Sequence, residues 1–222
     1  MKRIIFLGII TFLVTTLNAQ DIIIIPRRVV RRSVVTRPQN NDFYRAKLGI
    51  TAGFNISNTV DAYNTSFTTE AIGGYHVGLT LDLPIIYPLS FAPEVLYSQK
   101  GYLAKTNDGG DFTQRSNYID VPLLAKIRMS PSFSFLIGPQ LSFPLSATNT
   151  YDNGFDPISQ SYYNQFDQKN ILDGVVGVTF DLGRNFELRA RYTLDLEPNN
   201  LNNDLYGDYR TQVWQFGLGV KF

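Results

Sequence analysis

The last nine residues of the chain alternate strictly between apolar side chains and small or polar ones. The apolar parity holds Trp214, Phe216, Leu218, Val220 and Phe222. The other parity holds glycines, a glutamine and a lysine. A period of two residues predicts a β-strand that has one face in an apolar environment.

The same period occurs in seven earlier segments, so the pattern predicts eight strands. The eight segments are 46–54, 75–83, 89–100, 117–129, 132–143, 172–182, 185–194 and 214–222. At about nine to twelve residues, each has the length of a tilted strand that crosses a bilayer. We therefore expect an all-β fold, an eight-stranded antiparallel transmembrane barrel over residues 44–222.

The connections between these segments alternate in length. Short turns follow the second, fourth and sixth segments, at 84–88, 130–132 and 183–184. Long connections follow the first, third, fifth and seventh, at 55–73, 101–116, 144–170 and 195–211. Short periplasmic turns and long extracellular loops are typical of outer-membrane barrels. An even number of strands then puts both ends of the mature chain in the periplasm.

A soluble, lipocalin-like barrel is the main alternative, because it also alternates apolar and polar positions. Its apolar face would point inward, and an eight-stranded barrel is only just wide enough to be filled by side chains. Here the apolar face carries Trp, Phe, Leu and Ile, whereas the other face is rich in Gly, Ser and Thr. Large residues fit outside against lipid and small ones fit inside, which favours the membrane barrel.

The terminal strand has to close this barrel against the first strand, because lipid tolerates no open sheet edge. Its aromatic residues suit the interfacial belts, and Phe222 would lie at the periplasmic rim. Outer-membrane barrels commonly end in this way. The set Trp214, Phe216, Leu218, Val220 and Phe222 therefore resembles the signal read by the barrel-assembly machinery, a partner during insertion.

Two segments precede the barrel. Residues 1–19 combine Lys2 and Arg3, an apolar core and a small-residue cleavage site, which predicts a signal peptide. Residues 20–43 form a linker with a strong positive charge, carried by Arg27, Arg28, Arg31, Arg32 and Arg37. This basic arm is either a solvated tether or a contact for lipid phosphates or an acidic partner. Its apolar pieces could also add a strand to a partner's sheet edge.

The composition argues against several kinds of partner and site. The chain has 20 Lys and Arg against 19 Asp and Glu, so we expect no nucleic-acid partner. It has no cysteine, which excludes disulfides, thiolate metal sites and a lipoprotein cleavage site. Export without a lipid anchor leads to the periplasm, the outer membrane or the medium. The predicted barrel selects the outer membrane, where we expect lipid and lipopolysaccharide as partners.

Five stretches carry a closer resemblance: GYHVGLTLDLP, FAPEVLYSQKGY, YIDVPLLAKI, FLIGPQLSF and FGLGVKF. Together they resemble the small outer-membrane β-barrel domain common in Bacteroidota, a porin-family group that includes PorT-like proteins. The resemblance covers residues 44–222. It implies the barrel fold and, because some PorT-like members take part in type IX protein secretion, a role as an accessory of a secretion machine.

Charged residues of both signs fall on the inward parity. They are Lys47, Asp82, Glu94, Asp120, Lys126, Arg128, Asp181, Glu187, Arg189, Arg191 and Lys221. Because an unpaired charge in a narrow lumen is costly, we expect ion pairs between neighbouring strands, for example of Glu94 or Asp120 with Lys126 or Arg128. The charges would then form a plug; a narrow ion path is the alternative.

The pattern does not favour an enzyme. His76 is the only histidine, and the chain has no nucleophile motif of the G-x-S-x-G kind. We interpret His76 as a hydrogen-bonded rim residue and predict no catalytic residue and no cofactor. Segments 107–111, 151–156 and 199–208 offer oxygen ligands for calcium, but their Asn, Asp and Gly also form turns, so we predict no metal site.

The long loops are therefore the expected functional surface. They carry aromatic residues on polar, asparagine-rich segments, namely Tyr151, Phe155, Tyr162, Tyr163, Phe166, Tyr206 and Tyr209. Such a surface suits a protein or glycan partner, or folds over the mouth of the barrel as a lid. We predict a structural or interaction role in the cell envelope, with a secretion accessory, a narrow ion pore and a surface hydrolase as alternatives.

Overall fold

The computed structural model describes residues 43–60, 67–106, 111–152, 158–163, 170–197 and 210–222. Its strands are β1 (Lys47–Val60), β2 (Phe67–Ile86), β3 (Leu89–Thr106), β4 (Asp111–Arg128), β5 (Phe133–Asp152), β6 (Ile158–Tyr163), β7 (Ile171–Leu182), β8 (Phe186–Asp195) and β9 (Arg210–Lys221). Among the described residues there is no helix long and apolar enough to cross a membrane. The predicted signal peptide and all of the basic arm except Phe43 lie outside the described residues.

Eight of these strands close into a ring, which confirms the predicted eight-stranded antiparallel barrel. The order round the ring is β1, β2, β3, β4, β5, β7, β8, β9, and β9 pairs again with β1. This closing seam runs from Gly49 opposite Lys221 to Val60 opposite Arg210. The backbone groups of both terminal strands are thereby paired, as a lipid environment requires.

The strands are tilted relative to the barrel axis. A circuit of paired residues that starts at Leu83 of β2 passes through β3, β4, β5, β7, β8, β9 and β1 and returns to β2 at Gly73. The displacement of ten residues (83 − 73) is the shear that a closed, tilted barrel needs. As a result, inward side chains of strands far apart in the order can meet across the lumen.

The predicted strand lengths are wrong for five of the eight ring strands. β1 has 14 residues, and β2, β3, β4 and β5 have 18 to 20, not nine to twelve. Strand therefore occupies most of the predicted connections 55–73 and 101–116 and part of 144–170, where β6 also lies. Apolar alternation marks a strand only where one face meets lipid, so it cannot mark a strand that continues into water.

β6 lies outside the ring. It pairs with the outer part of β5, from Ser146 to Tyr151, whereas β7 pairs with the inner part, from Phe133 to Ser142. The short turns at 87–88, 129–132 and 183–185 all lie at the other end of the barrel, as predicted. We call that end the turn side and the opposite end the loop side.

The barrel is apolar outside and polar inside. Large apolar residues stay about half exposed on the outer face, for example Leu79, Val95 and Leu218 at 56%, 51% and 57%. The buried side chains are mostly polar or charged, and the buried apolar cluster is small: Ala92, Leu124, Leu136 and Val175. A lipocalin-like barrel would have the opposite arrangement, with its apolar residues inside. The observed arrangement is the one that a lipid-facing barrel requires.

Phe43, the last residue before the barrel domain, lies at the turn-side end. It is buried, and its ring makes edge contacts with Tyr44 at 5.1 Å and Tyr87 at 5.3 Å. The Arg128 guanidinium lies 5.1 Å from the centre of the same ring. Phe43 therefore packs against the turn-side rim, where β1 begins.

Candidate functional site: a charged lumen and a raised sheet

Charged side chains of six strands meet near the turn side of the lumen. We call this group the turn-side chamber; its members are Asp82, Glu94, Lys126, Asp181, Glu187, Arg189, Arg191 and Lys221. The group holds four cations and four carboxylates. Each strand delivers its members at every second position, because that parity points into the barrel.

Glu94 joins the two arginines of β8 across the lumen. Its Oε2 accepts a hydrogen bond from Nη1 of Arg191 at 2.7 Å, and its Oε1 accepts one from Nη2 of Arg189. Glu94 is 2% exposed, and both arginines are buried. The pair of charge-assisted bonds ties β3 to β8, which are not neighbours in the ring.

Glu187 holds the rest of the turn-side chamber together. Its carboxylate lies 2.6 Å from Nζ of Lys221 and 3.4 Å from Nζ of Lys126. Lys126 also pairs with Asp82 at 3.1 Å, and Lys221 with Asp181 at 2.6 Å. Every charge in the chamber thus has a partner of opposite sign, which offsets much of the cost of burial.

The predicted partners were wrong, although most of the predicted residues do lie in the lumen. Glu94 contacts the arginines of β8 and Lys126 contacts Asp82, so the expected pairing of Glu94 with Lys126 or Arg128 is absent from these contacts. Arg128 lies over Phe43 at the rim instead. Lys47 faces Asp82 in the β1–β2 pairing. The sequence shows which side chains point into the barrel, but the tilt of the strands decides which of these side chains meet across the lumen.

An amide network separates this chamber from the loop side. Asn55 donates to Ser98 Oγ at 3.1 Å and accepts from Gln215 at 3.1 Å. Its Oδ1 also lies 2.7 Å from Nδ1 of His76. His76 is 3% exposed, so it belongs to the lumen and not to the rim as we expected. A Ser–His–acid arrangement would need a carboxylate at Nδ1, where Asn55 stands.

A second charged group lies on the loop side of this network. We call it the loop-side chamber, with the members Lys100, Asp120, Gln140, Ser142, Asp173 and Asp195. Lys100 Nζ lies 2.9 Å from Asp120 and 3.8 Å from Asp173. It also lies 4.9 Å from the centre of the Tyr118 ring. Asp120 and Asp173 therefore share the Lys100 ammonium.

Sequence reasoning identified only Asp120 of this chamber. Lys100, Asp173 and Asp195 share the inward parity of Glu94, Asp181 and Glu187 on the same three strands. Their parity was therefore a usable signal. They were missed because each stands at the end of its apolar run, where the pattern suggests that the strand stops.

Beyond the ring, five strands continue as one sheet on the loop side. We call it the raised sheet; it consists of residues 67–71 of β2, 101–106 of β3, 111–117 of β4, 146–152 of β5 and β6. In the structure as described, β6 pairs only with β5, so its other side is an edge. Pairing with β1 extends along β2 only as far as Ile72.

Polar pairs cover the raised sheet. Lys105 and Glu70, both about half exposed, form a 2.7 Å ion pair between β3 and β2. Hydroxyl pairs join β5 to β6, with Thr150 and Ser159 at 2.7 Å. Tyr102 and Phe112 pack with ring centres 6.3 Å apart. These polar pairs suit a surface that is exposed to water, whereas the outer face of the ring is apolar.

The segments considered for calcium lie largely outside the described residues, as do Phe155, Phe166, Tyr206 and Tyr209. Within the described ranges there is no group of three or more His, Cys, Asp or Glu side chains arranged to hold a metal ion. The terminal set keeps its alternation: Trp214, Leu218 and Phe222 are exposed, whereas Gln215 and Lys221 are buried.

Comparison with known proteins agrees with the fold. A family model described as "Outer membrane protein beta-barrel domain" matches residues 36–200. No curated protein matches the sequence. Among solved structures, the chain is similar to Ail, the attachment invasion locus protein of Yersinia pestis, in complex with the heparin analogue sucrose octasulfate. The identity is 14%, the match covers 80% of this chain and 99% of that one, and the TM-score is 0.48.

Two further structures are similar at comparable distance. Neisserial surface protein A is 18% identical over 79% of this chain and 97% of its own, with a TM-score of 0.48. OprG from Pseudomonas aeruginosa is 12% identical over 80% and 96%, with a TM-score of 0.37.

Proposed function

The chain belongs to the outer membrane protein β-barrel domain family, and we propose that it acts there as a non-enzymatic envelope protein whose raised sheet binds a partner protein. The observation that carries the proposal is the edge of β6, which stands outside the closed ring. In this proposal the short turns face the periplasm and the raised sheet faces the outside of the cell.

The chemistry of an edge strand favours a protein over other ligands. One side of β6 presents a row of backbone N–H and C=O groups that a strand of another chain can pair with. The exposed side chains of Ile158, Ser159 and Gln160 on β6 leave room for such a strand. Natural proteins usually shield an edge of this kind, so an edge that no other described strand pairs with suggests a use.

The filled lumen supports this role over the pore and enzyme alternatives. Ion-paired side chains occupy the turn-side chamber, the Asn55 network closes the middle, and Lys100 fills the loop side. An eight-stranded barrel has no further space for a solute path. We therefore expect the protein in a planar lipid bilayer to show no stepwise conductance.

The test shortens the raised sheet without touching the ring. Replacing residues 149–160 by Asn-Gly joins Thr148 to Ser161, which face each other across β5 and β6, through a two-residue turn. Native and shortened proteins are extracted gently from outer membranes after cross-linking, and their masses are compared. We expect a defined complex with the native protein and a lone barrel with the shortened one.

A matched control replaces residues 106–110 by the same dipeptide, which shortens the β3–β4 connection and keeps β6. This control should keep the complex. A native protein that runs as a lone barrel, or a complex that survives the shortening of the β5–β6 hairpin, would overturn the proposal. If the partner is a component of a secretion machine, the protein is the accessory that the resemblance to PorT-like proteins implies.

A further inference from the structure

Three arginines lie at the turn-side end of the barrel. Arg45 precedes β1, Arg128 is the last residue of β4, and Arg184 lies in the turn between β7 and β8. We call these three residues the arginine rim. The segment before β1 and the short turns, at 43–46, 87–88, 129–132 and 183–185, contain no Asp or Glu. The described part of this rim therefore carries charge of one sign.

Hydrogen bonds to the backbone fix the segments that carry these arginines. Lys221 N donates to Asn185 O at 2.7 Å, and Asn185 Nδ2 donates to Lys221 O at 2.9 Å. These two bonds hold the turn of Arg184 against the end of β9. On the other side of the ring, Arg128 N donates to Pro88 O at 2.9 Å. The arginine rim thus stands on an ordered backbone.

Two of these cations have no partner within the described structure. Arg45 and Arg184 are exposed, and neither forms an ion pair or a side-chain hydrogen bond with another described residue. The carboxylates of β7 and β8 near this end, Asp181 and Glu187, are paired with Lys221 instead. A guanidinium is always charged, and its planar fork of donors matches the oxygens of a phosphate. Arg45 and Arg184 are therefore available to an anion from outside the protein.

Aromatic side chains place the arginine rim at a particular depth. Tyr44, Tyr87 and Phe186 are each more than half exposed at this end of the barrel. Aromatic residues at the ends of a membrane-spanning band lie at the level of the lipid headgroups. Arg45 follows Tyr44 directly, and Arg184 is two residues from Phe186. The arginines therefore lie at headgroup level too.

The three positions are spread round the ring. In ring order, β2 and β3 separate β1 from β4, β5 separates β4 from β7, and β9 separates β8 from β1. A protein partner would contact one sector of the barrel, whereas lipid surrounds its whole circumference. The distribution of the arginines therefore favours lipid as the source of the anion.

The loop side lacks this one-sign character. On the raised sheet, Lys105 pairs with Glu70, and the exposed residues Asp111, Arg115 and Asp152 add charges of both signs. A leaflet that contains anionic lipids attracts basic residues near its surface. Of the two described ends, the turn side has the charge that complements such a leaflet.

We propose that the arginine rim binds anionic phospholipids of the leaflet at the turn side, with Arg45, Arg128 and Arg184 in contact with headgroup phosphates. The neighbouring aromatic side chains lie at the same level and pack beside the upper parts of the acyl chains. The contacts with phosphate are charge-assisted hydrogen bonds, which are stronger than bonds between neutral groups.

Spin-labelled lipids test this surface on the folded mature protein in phosphatidylcholine vesicles. Lipids that contact a barrel are restricted in motion, so the restricted fractions of labelled phosphatidylglycerol and labelled phosphatidylcholine give the preference for an anionic headgroup. One arginine near a leaflet favours an anionic lipid by up to about fivefold, and the average over all contacting lipids is smaller. We expect a preference of about twofold at low salt and a smaller one at high salt.

The combined variant Arg45→Gln and Arg184→Gln should lower this preference, and the addition of Arg128→Gln should lower it further. The double variant should fold, because both of its arginines are exposed and lack partners in the described structure. Arg115→Gln, an exposed arginine of the raised sheet, is the matched control and should keep the preference. The basic arm is unchanged in every variant, so differences between variants measure the arginine rim alone.

Equal restriction of the two lipids by the wild type, or an unchanged preference in the double and triple variants, would overturn the proposal. An equal loss in Arg115→Gln would also contradict it, because the preference would then follow net charge and not the rim. Inorganic phosphate, compared with chloride at the same ionic strength, separates lipid from free anion. We expect the preference to be equal in both salts; its loss in phosphate alone would show that the rim takes free phosphate instead.

Discussion

Both chambers of the lumen bury charged side chains, but they stabilise these charges in different ways. In the turn-side chamber, four cations face four carboxylates, and Glu94 alone joins two arginines. In the loop-side chamber, Lys100 pairs with Asp120 and Asp173, and most of the remaining contacts are hydrogen bonds of Ser142 and Gln140. One chamber is held mainly by ion pairs, whereas the other combines one lysine with uncharged hydrogen-bonding groups.

This difference has a chemical consequence. Arginine stays protonated in proteins, so removal of Glu94 from the turn-side chamber leaves positive charges that a change of pH cannot remove. Carboxyl groups can be neutralised by acid, so the imbalance left by removal of Lys100 from the loop-side chamber can be relieved. The two substitutions should therefore differ in their dependence on pH.

The largest effect is expected from Glu94→Gln. It removes the carboxylate that Arg191 pairs with and leaves Arg189 with Glu187 at 3.5 Å, which should lower the free energy of unfolding by about 3–5 kcal/mol. Trp214, the single tryptophan, lies on the lipid face, so its fluorescence can follow urea unfolding from vesicles. If the stability that Glu94→Gln loses is regained in mild acid, the two chambers do not differ in the way described.

Lys100→Met is the corresponding change on the loop side. Asp120 and Asp173 then lose the cation that they share, and we expect a loss of about 3 kcal/mol at neutral pH. The folded variant should bind more protons than the unfolded chain, so its stability relative to the wild type should increase as the pH falls. Unfolding curves at neutral and mildly acidic pH, recorded beside those of Glu94→Gln, measure this difference.

The control for Glu94→Gln is Glu94→Asp, which keeps the negative charge near the arginines and should lose less stability. If Lys100→Met and Glu94→Gln respond to acid in the same way, the carboxylates that lose Lys100 do not take up protons, and the contrast between the two chambers is wrong.

Sequence reasoning could predict the ring because each ring strand has one face in lipid. The parity of Trp214 to Phe222, the short turns and the small inward residues all depend on local pattern. The ion pairs could not be predicted, because a shear of ten residues brings Glu94 of β3 opposite β8. That displacement depends on the pairing of the whole ring and is not encoded in any single segment.

The raised sheet was missed for a related reason. Above the membrane both faces of β2 to β5 meet water, so apolar alternation disappears although strand pairing continues. Thr148 and Thr150 suit a strand, but their neighbours Asn149 and Asp152 suggest a loop. A prediction that relied on the apolar period was bound to stop at the membrane surface.

A smaller effect should follow from Asn55→Ala, at the boundary between the chambers. The substitution removes the acceptor of His76 and Gln215 and the donor to Ser98, which should cost about 1–3 kcal/mol. Because no charge is exposed, we expect little dependence on salt. Asn58→Ala on the same strand is the control and should cost less, since Asn58 is only partly buried.

The smallest effect should come from the ion pair of the raised sheet. Lys105→Met repeats the chemistry of Lys100→Met five positions further along β3, but Lys105 and Glu70 are about half exposed to water. The hydrogen bond that Lys105 donates to the Glu70 carboxylate raises the pKa of Lys105, yet screening by water and salt removes most of the benefit of such a pair. We expect unfolding curves that coincide with those of the wild type at low and at high salt. A clear loss of stability in Lys105→Met would mean that charge pairs matter equally inside and outside the lumen, and burial would no longer explain why Lys100 matters.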